Sequence, residues 1–242
     1  HNRPKLGDRQ FTVVHVDHGI HPQSDSWAQH VAQHASLWQL PAKIKRVNLA
    51  GLSNNLEFAA RKARYAALCE ESCDAIMMAH HADDQIETFL MKLMRGSGLK
   101  GLRGMGEDSP CWYDQSIRLL RPLLKTTRYQ LESYVAEHGI AHVEDTSNAD
   151  LKYDRNYIRH AVWPIISDRF DIADININKS IELLGEAWEL TTALAENDLQ
   201  HAEIELHVLD WTRIKDLSTV RIKNLILHIL GLNHVYGYSI GH

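Results

Sequence analysis

The feature that most narrows the possible folds is an alternation of short apolar runs with stretches of helical periodicity. Phe11 to Val16 is an apolar, β-branched run, and after it Trp27, Val31, His34 and Trp38 recur at helical spacing behind Ser24, the expected N-cap. Ala42 to Val47 is a weaker alternating strand. Asn54 with Glu57 three residues on resembles a capping box, opening a helix that carries Leu56, Ala60, Ala63 and Ala67. Ala75 to Ala79 is continuously apolar, as suits a strand buried on both faces. Ile86, Phe89, Leu90, Leu93 and Met94 then trace one buried helix face up to a stop at Gly96. Three strand-helix units without a hairpin signal between them predict an α/β fold, a doubly wound parallel sheet with right-handed crossovers. Ligands of such sheets bind at the carboxyl ends of the strands, which directs attention to the loops after Val16 and after Ala79.

Five glycines between Gly96 and Pro110 read as a mobile loop, Ile117 to Leu120 as a further strand and Thr127 to Glu137 as a helix. Asp145 to Asp154 is a polar loop leading to a helix from about Arg155. Beyond Asp171 the patterning turns helical. Ile181, Leu184, Trp188 and Leu194 suit a connecting helix, and Ser218 is the expected N-cap of a stripe through Ile222, Leu225, Ile226, Ile229 and Leu230. A division at residue 170 follows, with 1–170 as the α/β part and 171–242 as the connecting helix and the start of a small helical domain.

With 242 residues, 44% hydrophobic and 24% charged, the chain lies in the range of folded globular proteins rather than disordered ones. It has no apolar run of membrane-spanning length and no signal-peptide core near His1. Cys69, Cys73 and Cys111 are an odd set without a C-x-x-C pair, so a disulfide framework is not expected and a reducing cytoplasm is. A net charge of -5 means that a nucleic-acid partner would be held by local basic patches.

The densest polar constellation is His80-His81-Ala82-Asp83-Asp84-Gln85-Ile86-Glu87, placed where a buried strand hands over to a helix. One reading is structural: Asp84 and Glu87 make a capping box, and the helix dipole favours an acid there. Two adjacent acids and two adjacent histidines exceed what capping requires, and such a cluster can orient a cationic group and take a proton from an amine nucleophile. The other loop holds His15, Asp17, His18 and His21; histidines at a period of three on a turn point different ways more often than they share a metal.

Taken in order, V-H-V-D-H-G (Val14 to Gly19), A-R-K-A-R-Y (Ala60 to Tyr65), A-H-H-A-D-D-Q-I-E-T (Ala79 to Thr88), R-G-S-G (Arg95 to Gly98), L-R-P-L-L (Leu120 to Leu124), E-D-T-S-N (Glu144 to Asn148) and R-N-Y-I-R-H (Arg155 to His160) resemble the tRNA(Ile)-lysidine synthetases, members of the PP-loop ATP-pyrophosphatases. The resemblance spans about residues 11 to 165 and implies a Rossmann-like sheet of the adenine nucleotide alpha hydrolase type, with a helical substrate-binding domain after it. It implies a two-step ligation. ATP adenylates the C2 carbonyl oxygen of the wobble cytidine in an isoleucine tRNA with a CAU anticodon, and the amine of free lysine then displaces AMP. ATP and Mg are the implied cofactors, and a homodimer is a possible assembly.

By likeness to the family, Asp83, Asp84, Glu87 and His81 are the catalytic candidates, the acids holding the lysine ammonium or Mg. His15, His18, His80, Arg61 and Arg95 are candidates for ATP, and Arg64, Asp145, Asn148, Arg155, Asn156 and Arg159 for the other substrates. Alternatives remain for several of these. Arg61 also suits an i, i+4 pair with Glu57, and Arg155 with Arg159 suits either successive phosphates or pairing with Asp145 and Asp150.

One departure from the family pattern stands out: the glycine-rich S-G-G-x-D-S loop that cradles the pyrophosphate is absent, and Ser24-Asp25-Ser26 follows the wrong strand. The expectation is a chain lacking its first strand and P-loop, weak in ATP binding and slow in turnover. Competing expectations are a sister PP-loop tRNA thiolase, a metal-dependent phosphohydrolase built on the histidines and aspartates, and a non-catalytic RNA-binding fragment using Lys100, Arg103, Arg118, Arg121, Lys125 and Arg128. The ligase reading requires the V-H-V-D-H-G turn and the turn after Met78 to share one rim of the sheet and one nucleotide crevice.

Overall fold

The computed structural model describes residues 9–19, 21–48, 56–143, 145–205 and 208–232, and at residues 56, 57, 146, 147 and 232 the backbone only. In chain order the elements are β1 (Val13–Asp17), α1 (Ser24–Leu37), β2 (Ala42–Arg46), α2 (Leu56–Cys69), β3 (Ala75–Met77), α3 (Ala82–Met94), α4 (Leu99–Leu102), β4 (Asp108–Pro110), β5 (Arg118–Leu120) and α5 (Arg128–Glu137). A 3-10 turn at Thr146–Ala149 precedes α6 (Asp154–Tyr157), which runs through a π-helical turn at Ile158–Val162 into α7 (Trp163–Arg169). The long α8 (Ala173–Ala202), β6 (Glu203–Glu205), β7 (Val208–Leu209), α9 (Trp211–Ile214) and α10 (Thr219–Leu232) complete the described chain.

Two compact units interleave along the sequence, residues 1–81 with 106–145 and residues 82–105 with 146–242. Within the second unit α3 and α4 pack on α8. In the first unit β1 pairs with β2 in parallel and β3 with β5 in parallel, as the strand-helix alternation requires. Among the described residues β1 and β3 belong to separate ladders. Helix α2 packs on β1 and, through Tyr65 and Leu68, on Ile76 of β3 and Leu119 of β5, so one helix joins both ladders.

Two local expectations give way to tertiary structure. Strand β4 lies inside the stretch that reads as a mobile loop. It pairs antiparallel with β5 at the sheet edge, where Pro110 costs little. Helix α1 begins at Ser24 itself, so Gln23 occupies the N-cap and no side chain caps it. The Asn54–Glu57 capping box lies outside the described residues. Elsewhere the local chemistry holds. Thr127 and Gln130 form a reciprocal capping box on α5, and Gly96 takes a left-handed turn two residues after α3.

In the second unit Ile86 and Leu90 of α3 pack with Ile158, with Phe89, Val162, Trp163 and Ile177 around them. Pro164 explains the π-helical turn: its nitrogen cannot donate to the His160 carbonyl, and the Trp163 N–H bonds Ile158 instead, one residue further back than in an α-helix. A second cluster joins Ala202, Ile214 and Leu225. There Arg221 of α10 donates two hydrogen bonds to the buried Asp198 of α8. The β6–β7 hairpin lies between these helices and has no clear sequence signal, its two strands being only three and two residues long.

Candidate functional site

The first turn of α3 carries the acids, and their side chains meet two arginines from far along the chain. Arg155 donates from Nε to Glu87 Oε2 at 2.6 Å and from Nη2 to Asp84 Oδ1 at 2.7 Å. Arg159 donates from Nε to Glu87 Oε1 at 2.5 Å and from Nη2 to Glu87 Oε2 at 3.0 Å. Glu87 is thus clasped on both oxygens, and its side chain is only 4% exposed, against 11% for Asp84, 21% for Arg159 and 35% for Arg155. Burial works against the charge of Arg159, but the Glu87 hydrogen bond and the neighbouring carboxylates outweigh it and hold its pKa above the ordinary value.

This arrangement corrects the capping-box reading of Asp84. The helix starts at Ala82, so Asp84 stands within the first turn rather than at its N-cap, and its carboxylate faces Arg155. It likewise replaces the Asp150 pairing considered for the arginines. Asp150 instead pairs with Lys152, while its backbone carbonyl accepts from Asn156 at 3.0 Å. Arg95 pairs with Asp154 at 2.7 Å. Asn148 is exposed and its carbonyl lies 3.0 Å from His160 Nε2. Asp145 is half-buried.

Gln85 fills a role that sequence reasoning missed. Its Oε1 accepts from Met105 N at 2.7 Å and its Nε2 donates to Met105 O at 2.8 Å, a two-point clamp on the glycine-rich stretch. No local signal marks it, since its partner lies 20 residues away.

In the first unit the turn after β1 is built by Asp17 and Gly19. The buried Asp17 accepts from Gly19 N at 2.8 Å, and Gly19 takes φ +64°, a left-handed conformation open to glycine. This sets the His18 ring against α2, where Arg64 Nε reaches His18 Nε2 at 3.3 Å. Accepting from a guanidinium requires a neutral imidazole carrying its proton on Nδ1, and Nδ1 is a buried atom without a hydrogen-bond partner. Burial first, then Arg64, pushes the His18 pKa down; burial also lowers that of His15, with Asp17 opposing. His21 instead stacks on Trp27 with centroids 4.4 Å apart, so the three histidines of this loop do not converge. Arg61 lies over the ring of Tyr65 at 5.5 Å. His80 and His81 are half-buried after β3.

The basic cluster considered for RNA phosphates is largely engaged in other contacts. Arg118 pairs with Asp108, Lys125 with Glu107, Arg128 with Glu132, and Arg103 lies over Trp188. Arg121 is buried, with Nη1 donating to Gly106 O and Ser109 Oγ, and burial lowers its pKa. Among the described residues no group of three or more His, Cys, Asp or Glu side chains is arranged to hold a metal ion, and no helix is long and apolar enough to cross a membrane.

Comparison with known proteins agrees with this architecture. The chain is 40% identical over 229 residues to the tRNA(Ile)-lysidine synthase of Alkalilimnicola ehrlichii, covering 90% of this chain and 49% of that protein. It is 37% identical over 221 residues to the tRNA(Ile)-lysidine synthase of Salmonella schwarzengrund, covering 90% of this chain and 51% of that protein. The chain therefore spans about half the length of the curated relatives it matches. Its fold is similar to that of the U34-tRNA thiolase NcsA from Methanococcus maripaludis, solved with a [4Fe-4S] cluster, with a TM-score of 0.60 at 14% identity over 93% of this chain and 73% of that one. Residues 3–166 match the family model of the PP-loop domain, and the chain belongs to that family of ATP-binding proteins.

Proposed function

We propose that the chain supplies the nucleotide- and lysine-handling part of a tRNA(Ile)-lysidine synthase. ATP activates the C2 oxygen of a cytidine at the wobble position of an isoleucine tRNA, and the amine of free lysine displaces AMP. The observation that carries this reading is the mixed-sign cluster of Asp84, Glu87, Arg155 and Arg159. Free lysine brings an ammonium and a carboxylate together. A cluster that already neutralises itself can exchange an internal ion pair for one with each substrate charge, without leaving a charge buried alone. A carboxylate within hydrogen-bond reach of the substrate amine can also take the proton that the nucleophile must lose. Asp84 and Glu87 are the acids for that role, and His81 is the imidazole preceding the same helix.

The nucleotide side of the proposal rests on His15, His18, Arg64 and His80. The buried, unpartnered Nδ1 of His18 fits a hydrogen-bond acceptor of a nucleotide, and the exposed guanidinium of Arg64 beside it suits a phosphate oxygen. Mg fits as an ion brought by the ATP phosphates and completed by water rather than held in an all-protein cage.

The sulfur-transfer alternative is less well supported. Cys69 Sγ and Cys111 Sγ lie 3.8 Å apart, but burial and this contact push the Cys69 pKa up to about 12, far from a nucleophilic thiolate. The test is incorporation of labelled lysine into a CAU-anticodon tRNA by the full-length gene product and by its Asp84→Asn variant. Lysine-dependent product that falls at least a hundredfold in the variant is the expected result. Turnover indifferent to lysine, or an Asp84→Asn variant as fast as the parent, overturns the reading.

A further inference from the structure

Helix α2 presents Phe58, Arg61 and Tyr65 at i, i+3 and i+7, on one face. The β4–β5 connection brings Trp112 and Tyr113 against that face. The Trp112 ring lies 5.3 Å from Tyr65 edge-on and 6.4 Å from Phe58, and Tyr113 stands perpendicular to it at 5.9 Å. Tyr65 is buried and fixes the base of the group, yet Phe58 is 55% exposed, Trp112 42% and Tyr113 43%. Three neighbouring exposed rings lie around the face of α2 that carries the exposed Arg61, whose guanidinium lies over the Tyr65 ring. The acid next in sequence, Asp114, is occupied by the backbone N–H and hydroxyl of Ser116.

We infer that this surface, formed by Phe58, Trp112 and Tyr113 with Arg61, is a stacking platform for unpaired bases of the RNA substrate. Exposed rings offer π-faces to bases of any sequence, and an adjacent guanidinium neutralises phosphate beside them; this combination distinguishes single-strand recognition from duplex recognition. The charge on the patch selects the occupant. An apolar protein partner would leave the Arg61 guanidinium at its edge without a counter-ion, whereas a polyanionic strand supplies both chemistries. The inference rests on the reading of the chain as part of a tRNA-acting enzyme, but it needs none of the ligation chemistry.

The test is anisotropy of a labelled single-stranded RNA of about ten nucleotides and of the matching duplex, with the full-length gene product. Trp112→Ala is expected to weaken single-strand binding about tenfold or more and to leave duplex binding unchanged, while Trp112→Phe retains most of the affinity. Arg61→Ala is expected to flatten the salt dependence of log K by about 0.7. If Trp112→Ala does not fold, Tyr113→Ala, whose ring contacts Trp112 at the surface, decides instead. Equal single-strand affinity of the folded variants and the parent overturns the inference, as does a Trp112 substitution that alters self-association and not RNA binding. Loss of lysine incorporation in Asp84→Asn with RNA binding intact separates failure of the platform from failure of the ligase reading.

Discussion

Glu87 and Arg159 form a two-point ion pair, Nε on one carboxylate oxygen and Nη2 on the other, between a side chain 4% exposed and one 21% exposed. The pair joins residues 72 positions apart in a segment whose helical register is shifted by the π-turn at Ile158–Val162. Arg155 lies before that turn and Arg159 within it, and both guanidiniums reach the same carboxylate.

Removing one guanidinium leaves a buried carboxylate with one partner fewer. Breaking a fully buried pair costs roughly 3 to 5 kcal/mol, and solvent screening at a fifth-exposed arginine reduces that, so Arg159→Ala is expected to lower unfolding stability by about 2 kcal/mol in urea titration. Arg159→Lys keeps the charge but cannot hold both oxygens, and it should recover about half of the loss. A variant as stable as the parent would show that Arg155 alone satisfies Glu87. If the lysine proposal holds, both variants raise the KM for lysine more than that for ATP.

Gly96 and Gly104 share a φ of +67° but not their surroundings. A Cβ at Gly96 meets nothing within 4 Å, whereas one at Gly104 meets Gln85 Oε1 at 2.7 Å and Ile181 Cγ2 at 2.8 Å. Gln85 cannot swing aside without releasing Met105. Gly96→Ala should therefore cost about 1 kcal/mol from the left-handed backbone alone, and Gly104→Ala about 2 kcal/mol more from overpacking. Thermal unfolding of the two variants side by side measures the difference, and equal costs would mean that α8 yields at Ile181.

The contrast between those glycines also shows what the sequence conveys. Periodicity located β1, β2, β3 and β5 within a residue or two, because each is a run whose own pattern matches a strand. Strand β4 was not legible: Asp108, Ser109 and Pro110 have low strand propensity, and only the neighbouring β5 backbone makes them a strand. The acids of α3 were legible as a cluster and Arg155 with Arg159 as one helix face, yet their pairing was not, since no local rule links positions about 70 residues apart. Gly104 reads as loop flexibility in sequence, but in the structure it is a point of close approach.

Thiol chemistry distinguishes the three cysteines. Cys111 is buried and Cys69 half-buried beside it, with its pKa near 12, while Cys73 is exposed. Burial and nearby acids raise the Cys73 pKa too, so neither Cys69 nor Cys73 is a ready thiolate, but access favours Cys73. Alkylation of the native chain at pH 8 should modify Cys73 first, with Cys69 and Cys111 reacting only on unfolding, as read by mass spectrometry of tryptic peptides. Prompt modification of Cys69 would contradict its burial against Cys111.

The half-buried histidines of the first unit give stability a defined pH dependence. Folding holds His15 and His18 below their ordinary value of 6.5, burial being the largest cause in each and Arg64 the next for His18. In the interval below 6.5 the unfolded chain binds protons that the folded chain refuses, so unfolding takes up protons and stability falls as the pH is lowered. The contribution of these two rings is fully present above about pH 6.5 and is lost as the pH drops through their folded values. His18→Gln removes one titrating ring while keeping a side chain that can accept from Arg64. Its urea midpoint should fall less than that of the parent between pH 7 and pH 5. Parallel pH profiles for the two proteins would place the proton uptake on other groups and remove the basis for a neutral His18 at the end of β1.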